Sequence, residues 1–237
     1  IDMPYMSQLT GKTEQELFED LKGVIFLNPM HASEEDGRPK YLPADEYLSG
    51  NVREKLEWAR RSAELYPEDY SENVRALEAV QPVDLKASEI SVRLGATWLP
   101  PETIEEFMFE LFSTPRYCQW NIHVHYAQYT GEWNVEGKSY DRSNVKAHNT
   151  YGTGRVNGYK IMEETLNLRD VRIFDYIEDG NGRKTAVLNK KETAIAQGKQ
   201  ELIKQAFADW IWSDPERREQ LTKLYNEKFN SIRPREY

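Results

Sequence analysis

Residues 92–112, VRLGATWLPPETIEEFMFELF, decide how the rest of the chain is read. The run divides into a short extended piece, a turn at Gly95, a tryptophan, and a helix that starts at Pro100-Pro101. Proline suits the first helical turn, where its missing N–H would have no partner anyway. Ile104, Phe107, Met108 and Leu111 recur at i, i+3, i+4 and i+7 and give this helix one apolar face. A fainter copy lies at residues 150–168, TYGTGRVNGYKIMEETLNL. Gly95 aligns with Gly152, Ile104 with Ile161 and Glu106 with Glu163, all at an offset of 57 residues. Residues 120–128 and 132–136 follow the first copy as strands around Thr130-Gly131. In the first of them Ile122, Val124 and Tyr126 alternate with His123 and His125, the period of a half-buried strand. Residues 171–177 and 185–188 follow the second copy as another hairpin, around the turn Asp179-Gly180-Asn181-Gly182. The unit helix-strand-strand therefore occurs twice. The expected fold is α+β, with two pseudo-repeats building one small antiparallel sheet and both helices on one face.

The flanks read as helical. Thr10 or Thr13 caps the first helix, with Glu16 completing a capping box after Thr13. Leu17, Phe18, Leu21, Val24 and Ile25 form its apolar face, and Asn28-Pro29 ends it. Residues 31–43 are polar and marked by Gly and Pro, hence a loop or short hairpin. Ser49 or Asn51 caps a second helix carrying Val52, Leu56 and Ala59, which Pro67 stops. A third helix spans about residues 68–80, with Tyr70, Val74 and Leu77 on one side, and Ile90-Ser91-Val92 reads as a short strand. In the tail, Asn189 or Thr193 caps a helix whose apolar face is Ile195, Leu202, Ile203, Phe207, Trp210 and Ile211. Asp214-Pro215 breaks it, and a further helix turns Leu221, Leu224, Tyr225 and Phe229 inward. The expected domains are a helical region at 1–84, the α+β core at 85–190 and a helical tail at 191–237 that leads to a following domain.

Composition narrows the function classes. The 237 residues carry a net charge of −9, which by itself discourages a nucleic-acid partner. The charge is uneven, however: residues 181–237 hold 12 Lys and Arg against 8 Asp and Glu, a basic end on an acidic chain. Aromatic residues make up 12% of the sequence, which argues against disorder even at a mean hydropathy of −0.79. Cys118 is the only cysteine, so no intrachain disulfide forms and a reducing cytoplasm is the natural compartment. No apolar run reaches the roughly 20 residues that span a bilayer. The chain opens on Ile1 without an initiator Met, and the expectation is a piece of something longer.

Few motifs carry chemistry. Residues 152–158, GTGRVNG, are glycine-rich before a helix, as in a phosphate cradle. Their G-x-G-x3-G spacing fits neither the dinucleotide fingerprint nor the P-loop, so a structural turn is the better reading. His123 and His125 share one strand face and can bind a divalent metal together, with His148 as a third ligand. A His-hydrophobic-His strand plus a tyrosine is how relaxase-type nucleases cut DNA, and Tyr126 and Tyr159 are the tyrosines to hand. The plain alternative is two solvated histidines. Glu105-Glu106 and Glu163-Glu164 read as solvated pairs. Trp98, Trp120 and Trp133, with Asn121, Asn134, Asn144 and Lys146, offer stacking and polar contacts for nucleic acid, or simply core and rim packing.

Several longer runs carry a family resemblance: YLSGNVREKL (47–56), LEAVQP (77–82), IxVRLGATWLP (90–100), YGTGRVNGYKIMEETLNLR (151–169), VLNKKET (187–193) and YNEKFNSIRP (225–234). Together they resemble the very large bacterial proteins of mobile elements and phages that join an adenine-specific DNA methyltransferase to an SNF2-like helicase. The resemblance covers nearly the whole chain and implies a segment between the two engines, ahead of the helicase ATP-binding motif. It implies DNA work in the cytoplasm, within restriction-modification systems, with ATP and S-adenosylmethionine bound elsewhere in the parent. The methyltransferase Asn-Pro-Pro-Tyr motif, the P-loop and the Asp-Glu helicase box are absent, so no catalytic residue is assigned. The expected role is a non-catalytic module that binds DNA or couples the neighbouring methyltransferase and helicase domains. Its expected contacts are Trp98, Arg142, Asn144, Lys146, Arg155, Asn157, Lys190, Lys191, Lys199 and Lys204. The alternatives are a metal-dependent nuclease on His123 and His125, and a purely structural protein-interaction domain.

Overall fold

A computed structural model of the chain describes residues 1–32, 37–178, 180 and 183–236. The chain forms two compact units, residues 1–86 with 222–237, and residues 87–221. The expected boundaries were drawn at 84/85 and 190/191. Both units combine helices with small antiparallel sheets, so the fold class is α+β. The expected shared sheet is corrected: among the described residues the strands pair only in twos, in four separate sheets.

The first unit opens with α1 (Met3–Thr10) and α2 (Glu14–Asp20). Thr13 caps α2, its hydroxyl accepting from the Glu16 N–H while the Glu16 carboxylate accepts from the Thr13 N–H. The helix expected to run on to Ile25 stops at Asp20. Gly23, at φ +82, turns the backbone, and Ile25–Leu27 becomes β1, paired with β2 (Tyr41–Pro43). The intervening loop contains residues 33–36, which lie outside the described residues. Next come α3 (Ala44–Tyr47), β3 (Gly50–Asn51), α4 (Val52–Leu65) and α5 (Pro67–Ala79). Asn51 caps α4, and Pro67 occupies the first turn of α5. Phe26, Tyr47, Val52, Leu56, Ala59 and Leu77 pack as one core. Inside it the Asn73 side-chain amide donates to Leu27 O and to the Tyr47 hydroxyl. Burial pushes the Tyr47 phenol up to about 12, so it stays neutral as that partner.

The second unit begins with a 3-10 turn, Ala87–Glu89. The strand expected at 90–92 is absent, because no strand of the described residues lies beside it to pair with. Gly95 turns the chain at φ +92, and a Cβ there would sit 2.3 Å from Leu166 O, so the close approach requires glycine. Then follow α6 (Pro101–Phe112), a short α7 (Arg116–Gln119), β4 (His123–Ala127), β5 (Glu132–Glu136), a π-helical turn (Lys146–Thr150) and α8 (Gly158–Leu166). Next are β6 (Phe174–Glu178), β7 (Lys184–Leu188), α9 (Lys190–Ile211), α10 (Pro215–Phe229) and β8 (Ile232–Arg233). Residues 222–229 of α10 belong to the first unit, where β8 pairs antiparallel with β3. The turn residues Asp179, Asn181 and Gly182 lie outside the described residues.

The two helices of the pseudo-repeat grip the β4–β5 hairpin from its two edges. On one edge the Val124 N–H donates to Glu105 of α6 (2.9 Å). On the other the Val135 N–H donates to Glu163 of α8 (2.9 Å), and the Asn167 side chain both accepts from Trp133 N and donates to Trp133 O (2.8 Å each). Side chains thus take the place of neighbouring strands and close both edges against further pairing. The counterpart of Glu163 in this role is Glu105, one residue from the Glu106 that the alignment matches.

The α9 face also differs from expectation. Ile195 and Leu202 are exposed, while Thr193 and Gln200 are buried beside Ala196, Ile203, Phe207 and Ile211. The cause is an extended segment that needs hydrogen-bond partners. Gln200 accepts from Val171 N and donates to Arg169 O and Thr165 Oγ1, and Thr193 accepts from Ile173 N. On α10, Leu221 is buried but Phe229 is exposed, contrary to the inward face expected of it.

Candidate nucleic-acid interface

The loop between β5 and α8 is built by local hydrogen bonds before it can present anything. Asn144 donates to Phe112 O (3.0 Å) and to the Asp141 carboxylate (2.5 Å), and its Oδ1 accepts from Ala147 N (3.0 Å). Its polar atoms are spent inside the fold. Asp141 is itself buried and accepts from the Tyr159 hydroxyl (2.7 Å), which also meets Thr114 Oγ1 (2.7 Å). Burial raises the Tyr159 phenol well above its ordinary value, despite the Thr114 hydrogen bond, and Asp141 adds to the rise. Tyr159 is therefore held neutral inside the fold. Burial and then Asp141 raise the Cys118 thiol in the same way. The loop is tied to α6 through Asn144 and to α8 through the buried Asp141 carboxylate.

The basic side chains fall into two groups. Arg142 and Lys146 are exposed on this loop and form no carboxylate ion pair among the described residues. Arg155 instead pairs with Asp175 (2.8 Å), and Lys204 with Glu201 (2.7 Å). Lys199 donates to Asn149 O and Thr150 O, which closes α9 onto the π-helical turn. Lys190 and Lys191 are exposed in the first turn of α9. Asn157 accepts from Lys160 N (2.9 Å) as the cap of α8. Trp98 is half-buried before α6. The structure therefore leaves Arg142 and Lys146 on one loop without acidic partners, Arg142 donating to Ser139 O (3.0 Å) and Lys146 to Ser113 Oγ (2.8 Å), and commits Arg155, Asn157, Lys199 and Lys204 to contacts within the protein.

The glycine-rich run 152–158 is a turn closed on itself. The N–H groups of Arg155 and Val156 both donate to Thr153 Oγ1, and Thr153 N donates to Val156 O. Those donors are not free for a phosphate. His123 and His125 do share a face of β4, with ring centroids 6.2 Å apart. Each has its own carboxylate 3.6 Å away, Glu105 for His123 and Glu136 for His125. His148 lies against Asp141 O (3.3 Å). Among the described residues, no group of three or more His, Cys, Asp or Glu is placed to hold a metal ion.

Of the tryptophans considered for stacking, Trp133 is buried against Tyr126, whereas Trp120 is among the most exposed large side chains of the protein. Tyr117 and Tyr140, exposed beside it, were not singled out from the sequence. Their signal was only the i, i+3 spacing of Tyr117 and Trp120. The strand expected over 120–128 took in Trp120, which instead caps the short α7, with β4 starting at His123. Among the described residues, no helix is long and apolar enough to cross a membrane.

Residues 1–35 match the family described as "Probable helicase, winged helix domain", which links the N-terminal end to helicase-associated proteins. No curated protein and no solved structure matches the chain. Residues 93–231, more than half of the chain, match the family described as "Domain of unknown function (DUF8437)", and to that family this chain belongs.

Proposed function

We propose that this chain is a non-catalytic, DNA-contacting module placed between an adenine-specific DNA methyltransferase and an SNF2-like helicase within one large protein. The observation that carries the reading is the helicase winged-helix match at residues 1–35. The runs YLSGNVREKL and YGTGRVNGYKIMEETLNLR support the methyltransferase-helicase context by resemblance. Arg142 and Lys146, exposed without acidic partners on a scaffolded loop, support direct contact with phosphates. Chemistry in such a parent would fall to its two engines, which bind S-adenosylmethionine and ATP. This module would position the DNA or transmit force between them.

The test is binding of a labelled duplex by the purified chain, followed by fluorescence anisotropy across a salt series. Binding is expected at about 50 mM salt, with log K falling against log salt at a slope of roughly −2 to −3 for two or three neutralised phosphates. Arg142→Ala and Lys146→Ala should each lower the slope by about 1. Absence of duplex binding at that salt would remove direct contact and leave mechanical coupling as the role.

A further inference from the structure

Residues 112–123 and 137–151 form a surface whose chemistry runs against that of the acidic chain. The two segments hold four basic residues, Arg116, Lys138, Arg142 and Lys146, and one acidic residue, Asp141. Asp141 is buried and accepts from Tyr159 and Asn144, and it forms no ion pair with the basic side chains outside. Lys138 is held by Glu163. The other three are exposed, and none forms a carboxylate ion pair among the described residues. Of the acids on β5 and α6, Glu136 and Glu105 face His125 and His123, and Glu110 accepts from the Trp210 indole N–H. Three aromatic side chains of these two segments are exposed: Trp120 (82%), Tyr117 (72%) and Tyr140 (62%). Rings of this size are normally packed, because they carry the largest apolar areas of any residues.

The backbone beneath them is cross-linked by hydrogen bonds. Lys146 Nζ donates to Ser113 Oγ (2.8 Å), Asn144 Nδ2 to Phe112 O (3.0 Å) and Cys118 Sγ to Tyr140 O (3.7 Å). Gly137, at φ +71, lets the two segments touch: a Cβ there would lie 1.8 Å from Asn121 O. Tyr117 and Trp120 stand three residues apart on α7 and its C-cap, and so share one side of that turn. Hydrogen bonds that hold the backbone lower the cost of ordering it on binding.

Resting on the DNA-contact reading above, we infer that this surface is a base-stacking platform for single-stranded DNA. Trp120, Tyr117 and Tyr140 would take base faces, and Arg116, Arg142 and Lys146 the phosphates. A duplex offers phosphates and base edges but keeps its base faces stacked, so it has no use for the rings. A single strand presents both base faces and phosphates, and stacking on aromatic side chains is tolerant of sequence.

The experiment compares a labelled oligothymidine strand with a duplex of the same length, by anisotropy and by quenching of the protein's tryptophan fluorescence. The native chain should bind the single strand with quenching. Trp120→Ala should weaken that binding about ten-fold or more and leave duplex binding within about two-fold. Trp120→Phe should recover most of the loss. Trp120 is exposed, so an unchanged melting curve is expected to accompany the weakened binding. Single-strand binding that survives Trp120→Ala and the double variant Tyr117→Ala/Tyr140→Ala overturns the inference. So does a native chain that binds the single strand weakly or without quenching. Normal duplex binding in either case leaves the DNA-contact reading standing, and a native chain that binds neither substrate overturns both the stacking platform and direct DNA contact, leaving mechanical coupling as the role.

Discussion

At the residue scale, Glu163 ties α8 to β5 and to Lys138 just beyond it. Its side chain is only 11% exposed; it pairs with Lys138 and Lys160 and accepts from the Val135 N–H. Burial alone would raise its pKa, but the hydrogen bonds of Lys138, Lys160 and Val135 N outweigh it, and the carboxyl lies below its ordinary value. A carboxyl lowered by folding contributes its full stability above the unfolded value. It loses that contribution as pH falls through the lowered one. The contribution of Glu163 should therefore be intact above about pH 5 and decline below about pH 4, given an ordinary glutamate near 4.3. Glu163→Gln should cost about 2 kcal/mol at neutral pH and flatten that acid limb. Urea midpoints measured between pH 3 and 7 on both proteins check the magnitude and the window together. From the sequence, Glu163-Glu164 read as a solvated pair; nothing in the chain's order tells that Lys138 and the edge of β5 arrive at one of them.

At the scale of elements, the β4–β5 hairpin is held by side chains instead of by further strands. Asn167 satisfies both backbone groups of Trp133 at the outer edge of β5. Asn167→Ala should destabilise the second unit by about 1–2 kcal/mol, since two hydrogen bonds go and two backbone groups lose partners. It should also expose a strand edge that recruits other chains. The expected readings are a lowered urea midpoint and a light-scattering signal on warming that the native chain lacks. The hairpin itself was legible, because Ile122, Val124 and Tyr126 alternate with polar neighbours. So were α6, from its i, i+3, i+4, i+7 stripe, and the caps Thr13, Asn51 and Asn189, from residue type and position. Elements set by long-range partners were not. Ile90-Ser91-Val92 has strand-forming residues but no strand to pair with, and α7 is too short for periodicity to reveal.

At the scale of the whole molecule, the C-terminal residues complete the N-terminal unit. Asn226, buried on α10, donates to Leu85 O (2.9 Å) and accepts from Leu85 N (2.8 Å), and Arg53 donates to Asn230 O (2.8 Å). Ser231 O accepts from Val52 N, and β8 pairs with β3 beside it. Asn226→Ala should cost about 1–3 kcal/mol through the unpaired Leu85 backbone groups. Faster amide exchange should follow in β3 and the start of α4, with α6 and α8 unchanged; hydrogen exchange read by mass spectrometry checks both regions. What the sequence determined alone was local: helix caps, the apolar stripe of α6, the proline stops and hairpin alternation, and thus an α+β class. Caps and stripes depend on neighbours within a turn or two, so their spacing already holds the information. Only the tertiary structure decided that residues 222–237 join the first unit. It alone decided that Arg155, Lys199 and Lys204 are committed within the protein while Arg116, Arg142 and Lys146 are left without acids. It also left Trp120, and not Trp133, facing water. Burial and charge pairing depend on which distant segment arrives opposite a side chain, and no spacing along the chain encodes that.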